Sequence, residues 1–199
     1  MRYLSLRFFS SVTCTGLLFA APNTLALSSE NYEALRHPQT TETQIPVIEQ
    51  KIGTKTYLTA RMIINSPVKT VWNLLTDYAN APAIFKSLRK SEVLSTRGNV
   101  KTVKQLVCPT SSPFKFDYIV EVHENEPTSI TWHRIGGSMK EVTGSWDLLP
   151  IDDNRATLTT YKVYLDGGFF LPAWLLRIQM KGSLPRMLFD FKQAAERRR

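Results

Sequence analysis

The chain has 199 residues, 43% of them hydrophobic, 11% aromatic and 21% charged. That composition excludes whole-chain disorder, collagen and coiled coil, and the length suits one domain with a real core plus an appendage. Two cysteines exclude a disulfide-stapled scaffold and a cysteine-rich metal site, while 25 Lys+Arg against 17 Asp+Glu, a formal +8, permit an anionic partner without demanding one.

Arg2 and Arg7 precede a mostly apolar stretch from Phe8 to Ala21, followed by Pro22, Asn23 and the small-residue site Thr24-Leu25-Ala26; residues 1–28 contain no acidic residue. A basic start, a short apolar run and small residues at a cut point form the pattern of a secretory signal peptide. The run is shorter than the roughly 20 residues that cross a bilayer as a helix. Residues 1–26 are therefore expected to be a signal peptide and the protein to be exported, to the periplasm or the extracellular space. An uncleaved anchor and a mitochondrial presequence are the alternatives. Cys14 leaves with that segment, and Cys108 is expected to be buried as a small apolar residue. Residues 27–53 carry His37-Pro38, a Thr/Glu/Gln run and Pro46 without sustained periodicity, and read as an extended N-terminal tether.

The domain is expected over 54–199. Residues 56–64 alternate, with Leu58, Ala60, Met62 and Ile64 on one face, and predict a half-buried strand. Asn65-Ser66-Pro67 ends it; Ser66 suits a helix N-cap and Pro67 the first helical position. Val71, Leu74, Leu75 and Tyr78 then predict a helix over 67–77, and 82–87 a second short one. Strands follow in series at 89–96, 100–107, 113–123, 129–135, 141–149 and 155–165. Turns separate them at Gly98-Asn99, Glu124–Pro127, Gly136-Gly137 and Asp152-Asp153-Asn154. Short strands spaced by turns imply a meandering antiparallel sheet.

Residues 172–197 predict a long closing helix, kinked at Gly182 and Pro185. Beyond the kink Leu184, Met187, Leu188, Phe191 and Ala195 form one apolar stripe. Before it, Trp174, Leu175, Leu176, Ile178 and Met180 cover most of the circumference, too much for a one-sided surface helix. That half must pack deeply, cover a ligand or touch a membrane. Arg177, Lys181, Arg186, Lys192 and Arg197-Arg198-Arg199 make the helix basic, which suits its dipole and also offers a contact for an anionic membrane surface. The basic residues lack interleaved exposed aromatics, so nucleic acid is not an expected partner.

Catalytic signatures are missing. There is no H-E-x-x-H, G-x-S-x-G or P-loop pattern. His123 and His133 can approach each other across a hairpin, on the face opposite Phe116 and Trp132, and Glu121 is their one candidate companion. A zinc site needs three or four converging ligands, so no metal and no cofactor is expected.

The order of elements resembles the helix-grip fold of START-like (SRPBCC) proteins. Residues 65–78 are similar to that superfamily's opening, in which a strand ends in a polar-Pro turn and enters an apolar helix. Gly144-Ser145-Trp146-Asp147-Leu148 with Pro150 resembles the G-x-W-x-L-x-P strand of the polyketide cyclase/dehydrase and coenzyme Q-binding branch. Leu171–Leu175 through Leu184-Pro185 resembles that branch's closing helix, and together the motifs cover 55–197. The resemblance implies an α+β fold: a curved antiparallel sheet wrapped around a long C-terminal helix, two short helices after the first strand, and an apolar cavity between sheet and helix.

Inward-facing Met62, Phe116, Tyr118, Trp132 and Trp146 would line that cavity from the sheet, and Trp174 and Ile178 from the helix. Arg134, Thr160 and Tyr161 are further polar candidates, Arg134 for an acidic head group. The expected function is binding of a hydrophobic small molecule by a monomer: a lipid, an isoprenoid quinone or a polyketide-like compound. Two alternatives stay open: a cyclase or dehydrase acting on such a compound, and a non-catalytic membrane- or protein-interaction module with a filled core.

Overall fold

Eight strands and three helices account for the computed structural model, which describes residues 45–108, 115–169 and 171–198. The expected signal peptide, most of the tether and the start of the 113–123 strand lie outside the described residues. The strands are β1 Val47–Ile52, β2 Lys55–Ile64, β3 Leu88–Arg97, β4 Val100–Val107, β5 Phe116–Asn125, β6 Ser129–Gly137, β7 Glu141–Ile151 and β8 Ala156–Asp166. The helices are α1 Val68–Thr76, α2 Ala81–Ile84 and α3 Ala173–Glu196. The strands form one antiparallel sheet in the order β1-β2-β8-β7-β6-β5-β4-β3. The chain meanders from β3 to β8, and β8 returns to pair with β2. The segment carrying α1 and α2 crosses from β2 to the far edge, so the two short helices cover one end of the sheet's inner face.

Alternation fixes which face is inner. Leu58, Ala60, Met62 and Ile64 on β2, Val142, Trp146 and Leu148 on β7, and Tyr161 and Val163 on β8 are all buried. They meet the α3 stripe expected from the sequence: Leu184, Leu188, Phe191 and Ala195 are each at most 1% exposed. Phe191 stacks on Phe85 (5.7 Å) and tilts against Trp146 (5.2 Å), which in turn touches Tyr161 (4.5 Å) and, through it, Trp132 (6.0 Å). Each such aromatic side chain removes a large apolar area from water.

Three expectations change. The last residues of the tether form β1, an edge strand paired with β2 from Val47↔Ala60 to Ile52↔Lys55. Ser66 does not cap α1. Its side-chain oxygen is buried without a partner and its carbonyl accepts the Thr157 hydroxyl (2.8 Å). The cap comes from the β7–β8 turn, where the Asn154 side-chain oxygen accepts the Val68 N–H (3.1 Å). That turn holds Asp152, Asp153 and Asn154 at positive φ, a conformation Asp and Asn tolerate better than other side-chain-bearing residues. The expected kink site at Gly182 and Pro185 lies inside a single helical element, α3. The carbonyl that Pro185 cannot bond belongs to Lys181, in an exposed turn where water can satisfy it. Cys108 is half-buried rather than fully buried, just beyond β4.

The far end of α3 is latched. Lys192, only 5% exposed, donates to the Ile63 carbonyl (2.6 Å) and pairs with Glu196 (2.6 Å), which also accepts the Asn65 N–H (2.9 Å). A buried ammonium is tolerated only when its donors are satisfied in this way.

Candidate functional site: the open end of the inner face

The inner face is not uniformly closed. Most inward residues of the sheet are buried, Val120 and Val122 of β5 and Ile130 of β6 among them, but the same-facing Phe116 and Tyr118 of β5 and Trp132 and Arg134 of β6 are only half-buried. On α3, Leu175, Met180 and Met187 are also half-buried apolar residues packed at the edge of the core. On the β2–β8 side the seam with α3 holds a void of about 10 Å³ lined by Leu58, Val163, Leu165, Leu176 and Met180. That is about one water molecule.

Tyr118 keeps some accessible surface, yet burial pushes its hydroxyl up to about 12. Burial likewise raises the Tyr161 hydroxyl, with Tyr118 adding to the shift. Both stay protonated near neutral pH and can donate a hydrogen bond, but neither can act as a base there. Arg134 lies opposite Val120 on the inner face. Its Nη2 donates to the Gly137 carbonyl (2.7 Å), and its Nε is buried with no partner. A buried, unsatisfied donor on a guanidinium costs about 1–3 kcal/mol, more because it is charged, and a ligand oxygen would remove that cost.

The local sequence explains the placement of Trp132. It lies opposite Gly144, and a β-carbon at Gly144 would come within 2.8 Å of the indole Cε2 and also strike the Lys162 carbonyl. Glycine at the head of the Gly144–Leu148 motif thus lets the indole lie across β7, while Trp146 and Leu148 of the same motif enter the core.

The structure brings Phe116, Tyr118, Trp132, Arg134 and Tyr161 to one face. Met62 and Trp146 share that face but are packed in the closed part, at 1% and 6% exposure. Trp174 and Ile178 do not join them. They are 56% and 64% exposed, on the side of α3 turned away from the sheet. The inward row is Leu176, Met180, Leu184 and Leu188, and the outward row is Trp174, Ile178, Gly182 and Arg186, each at four-residue spacing. Thr160 pairs with Arg61 and Asp147 on the outer face and is likewise outside the recess. Met180, which borders the small void at the β2–β8 seam, was not among the expected lining residues; the four-residue row running back from Leu188 is the signal that points to it.

The basic character of α3 is largely paired off. Arg177 and Lys181 face Glu49 of β1 (3.2 and 3.4 Å), and Arg186 faces Asp190 (3.0 Å). Among the described residues, no helix is long and apolar enough to cross a membrane.

A sequence-family model described as polyketide cyclase / dehydrase and lipid transport matches residues 64–192. The chain belongs to that family. Solved structures resembling this family member include a START superfamily protein from Mycobacterium smegmatis, with a TM-score of 0.62 and 11% identity over 72% of this chain and 99% of that one. Human STARD10 gives 0.61 and 13% over 84% and 79%. The Zhui aromatase/cyclase from Streptomyces sp. R1128 gives 0.60 and 16% over 71% and 94%. At these identities the likeness shows the fold alone, and that fold is the START-like helix grip. No curated protein matches the chain.

Proposed function

We propose that this family member holds an apolar small molecule in the recess bounded by Phe116, Tyr118, Trp132 and Arg134, and carries it without transforming it. The observation behind this reading is a local gap in burial on the sheet's inner face, where Phe116, Tyr118, Trp132 and Arg134 stay half-buried while their neighbours Val120, Val122 and Ile130 are closed. A ligand that removes about 300 Å² of apolar surface from water gains on the order of 7 kcal/mol before ordering costs. The Arg134 Nε favours a ligand with an oxygen at one end, such as a carboxylate, a quinone carbonyl or a polyketide-like carbonyl. STARD10 and a STAR-related lipid transfer protein from Xanthomonas axonopodis share the fold, which supports the carrier reading without naming a ligand.

Export in the periplasm or outside the cell, by way of the N-terminal segment, belongs to the same proposal. So does a monomer that meets membranes through Phe169 (92% exposed), Trp174 and Ile178. The test is displacement of a fluorescent fatty acid from the full chain. Micromolar binding is expected, with Trp132→Ala weakening it at least tenfold and Arg134→Met weakening the acid more than its methyl ester. Equal affinity for all three proteins would remove the recess as the site.

A second reading, a cyclase-type enzyme, is favoured by the convergence of Tyr118, Tyr161 and Arg134 on the inner face and by the Zhui aromatase/cyclase sharing the fold. In it the protonated hydroxyls and the guanidinium would hold a developing enolate oxygen. A partnered base is the missing part. Glu124, the carboxylate on the same face of β5, is held by Tyr78 (2.7 Å) and Lys101 (2.8 Å), about 20 Å along the strand from Tyr118. Turnover of a poly-β-ketone thioester that Tyr118→Phe abolishes would favour this reading over carriage.

A further inference from the structure

The outer face of the sheet carries a cluster that ligand carriage does not use. Glu121 and His123 alternate onto that face of β5, and His133 of β6 lies directly opposite Glu121. The Glu121 Oε1 is 2.9 Å from the His123 Nε2 and 3.9 Å from the His133 Nε2. The two imidazoles stack with centroids 6.0 Å apart and planes 22° apart. One donor atom from each of the three residues lies within 4.8 Å of the other two.

We propose that Glu121, His123 and His133 form a binding site for a divalent first-row transition ion, with zinc as the reference metal. Two imidazoles and a carboxylate suit zinc, copper or nickel better than magnesium or calcium, which prefer all-oxygen shells. Zinc–ligand bonds of about 2.0–2.2 Å in a tetrahedral arrangement place donors about 3.4 Å apart. The Glu121–His123 pair is already inside that spacing. The others close to it by side-chain rotation, because both histidines are exposed and Glu121 is only half-buried. The paired strands hold the three Cα positions, so the ordering cost falls on side chains alone. With neutral imidazoles the site carries the carboxylate's single negative charge, which a dication complements.

Three protein donors leave a tetrahedral ion one position for water or a small anion. His133 also borders a shallow depression of about 360 Å³ with Tyr57, Thr131, Thr143, Ser145 and Lys162, which gives such a ligand room. The site lies on the opposite face of the sheet from the apolar recess, so it stands or falls independently of the carrier reading.

The experiment is titration of the metal-free full chain with Zn²⁺ by calorimetry, paralleled by Co²⁺ absorption spectroscopy. One ion per chain is expected, with visible d–d bands of a four- or five-coordinate Co²⁺ and a melting temperature that rises with Zn²⁺ and falls back with chelator. His123→Ala and His133→Ala should each weaken binding by about tenfold or more, since loss of even an outer-sphere partner costs 10–100-fold. His37→Ala should leave it unchanged. Unchanged far-UV dichroism and metal-free melting temperatures establish that the exposed variants fold. No stoichiometric binding, or binding that survives the double His123→Ala/His133→Ala change, overturns the proposal.

Discussion

The two halves of α3 meet the same sheet and do opposite things. From Leu184 to Ala195 the helix buries a full row, with Phe191 against Phe85 and Trp146, and its end is latched through Lys192 to the carbonyl of Ile63. From Ala173 to Gly182 only Leu176 is fully buried; Leu175 and Met180 are half-covered, while Trp174 and Ile178 face out. The sheet is also divided: its inner face is closed over most of its area and half-open around Phe116, Tyr118, Trp132 and Arg134. One half of the grip is thus a core that defines the fold, and the other is a surface that can still gain by burying something. Stability belongs to the first and binding to the second.

That division can be broken in order of effect. Phe191→Ala should be the most damaging change, costing about 3–5 kcal/mol in urea unfolding, because the ring has no exposed surface and packs against two aromatic neighbours, Phe85 and Trp146. A loss under 1 kcal/mol would mean the closed half is not a core. Gly144→Val should cost about 1–3 kcal/mol by forcing Trp132 off β7, and should also perturb the recess; unchanged tryptophan fluorescence would count against the placement of the indole.

Tyr118→Phe tests the enclosure of the recess through pH. The Tyr118 hydroxyl is raised in the folded state above its unfolded value near 10. Its contribution is therefore fully present below pH 10 and is lost as pH rises from 10 toward 12, where the unfolded chain ionises first. The wild-type protein should lose stability across that window, and Tyr118→Phe should flatten the loss; identical profiles would mean the ring is open to water. Ile178→Ser, on the outward row, should change stability by no more than about 0.5 kcal/mol while weakening association with lipid vesicles.

Why some of this was legible in the sequence and some was not follows from where each signal resides. The stripe Leu184–Ala195 and the alternation on β2, β5 and β7 are local patterns, and both held. Strand β1 escaped because its pattern is inverted. Glu49 turns inward to meet Arg177 and Lys181 at the rim, while Ile48 and Ile52 face solvent, so Val47–Ile52 shows no amphipathic face toward a core. The α1 cap escaped because it is supplied by Asn154, 86 residues away. Trp174 and Ile178 were mistaken for lining residues because that half of the helix is apolar almost all round, and periodicity cannot choose a face when several are apolar. Their alignment with Gly182 and Arg186 is the clue that they point out. The inward parity of Tyr118, Trp132 and Arg134 was readable from alternation, but how completely they are covered depends on residues distant in the chain, and no local pattern encodes that.

Native mass spectrometry of the full chain purified from its own host, followed by organic extraction of what it releases, bears most directly on the claim that the open half holds a ligand. A stoichiometric apolar adduct, lost from Trp132→Ala but kept by Ile178→Ser, is the expected result. A bare mass, with no shift when fatty acids, quinones or phospholipids are added, would contradict the carrier reading and leave the open half as an interaction surface beside a filled core.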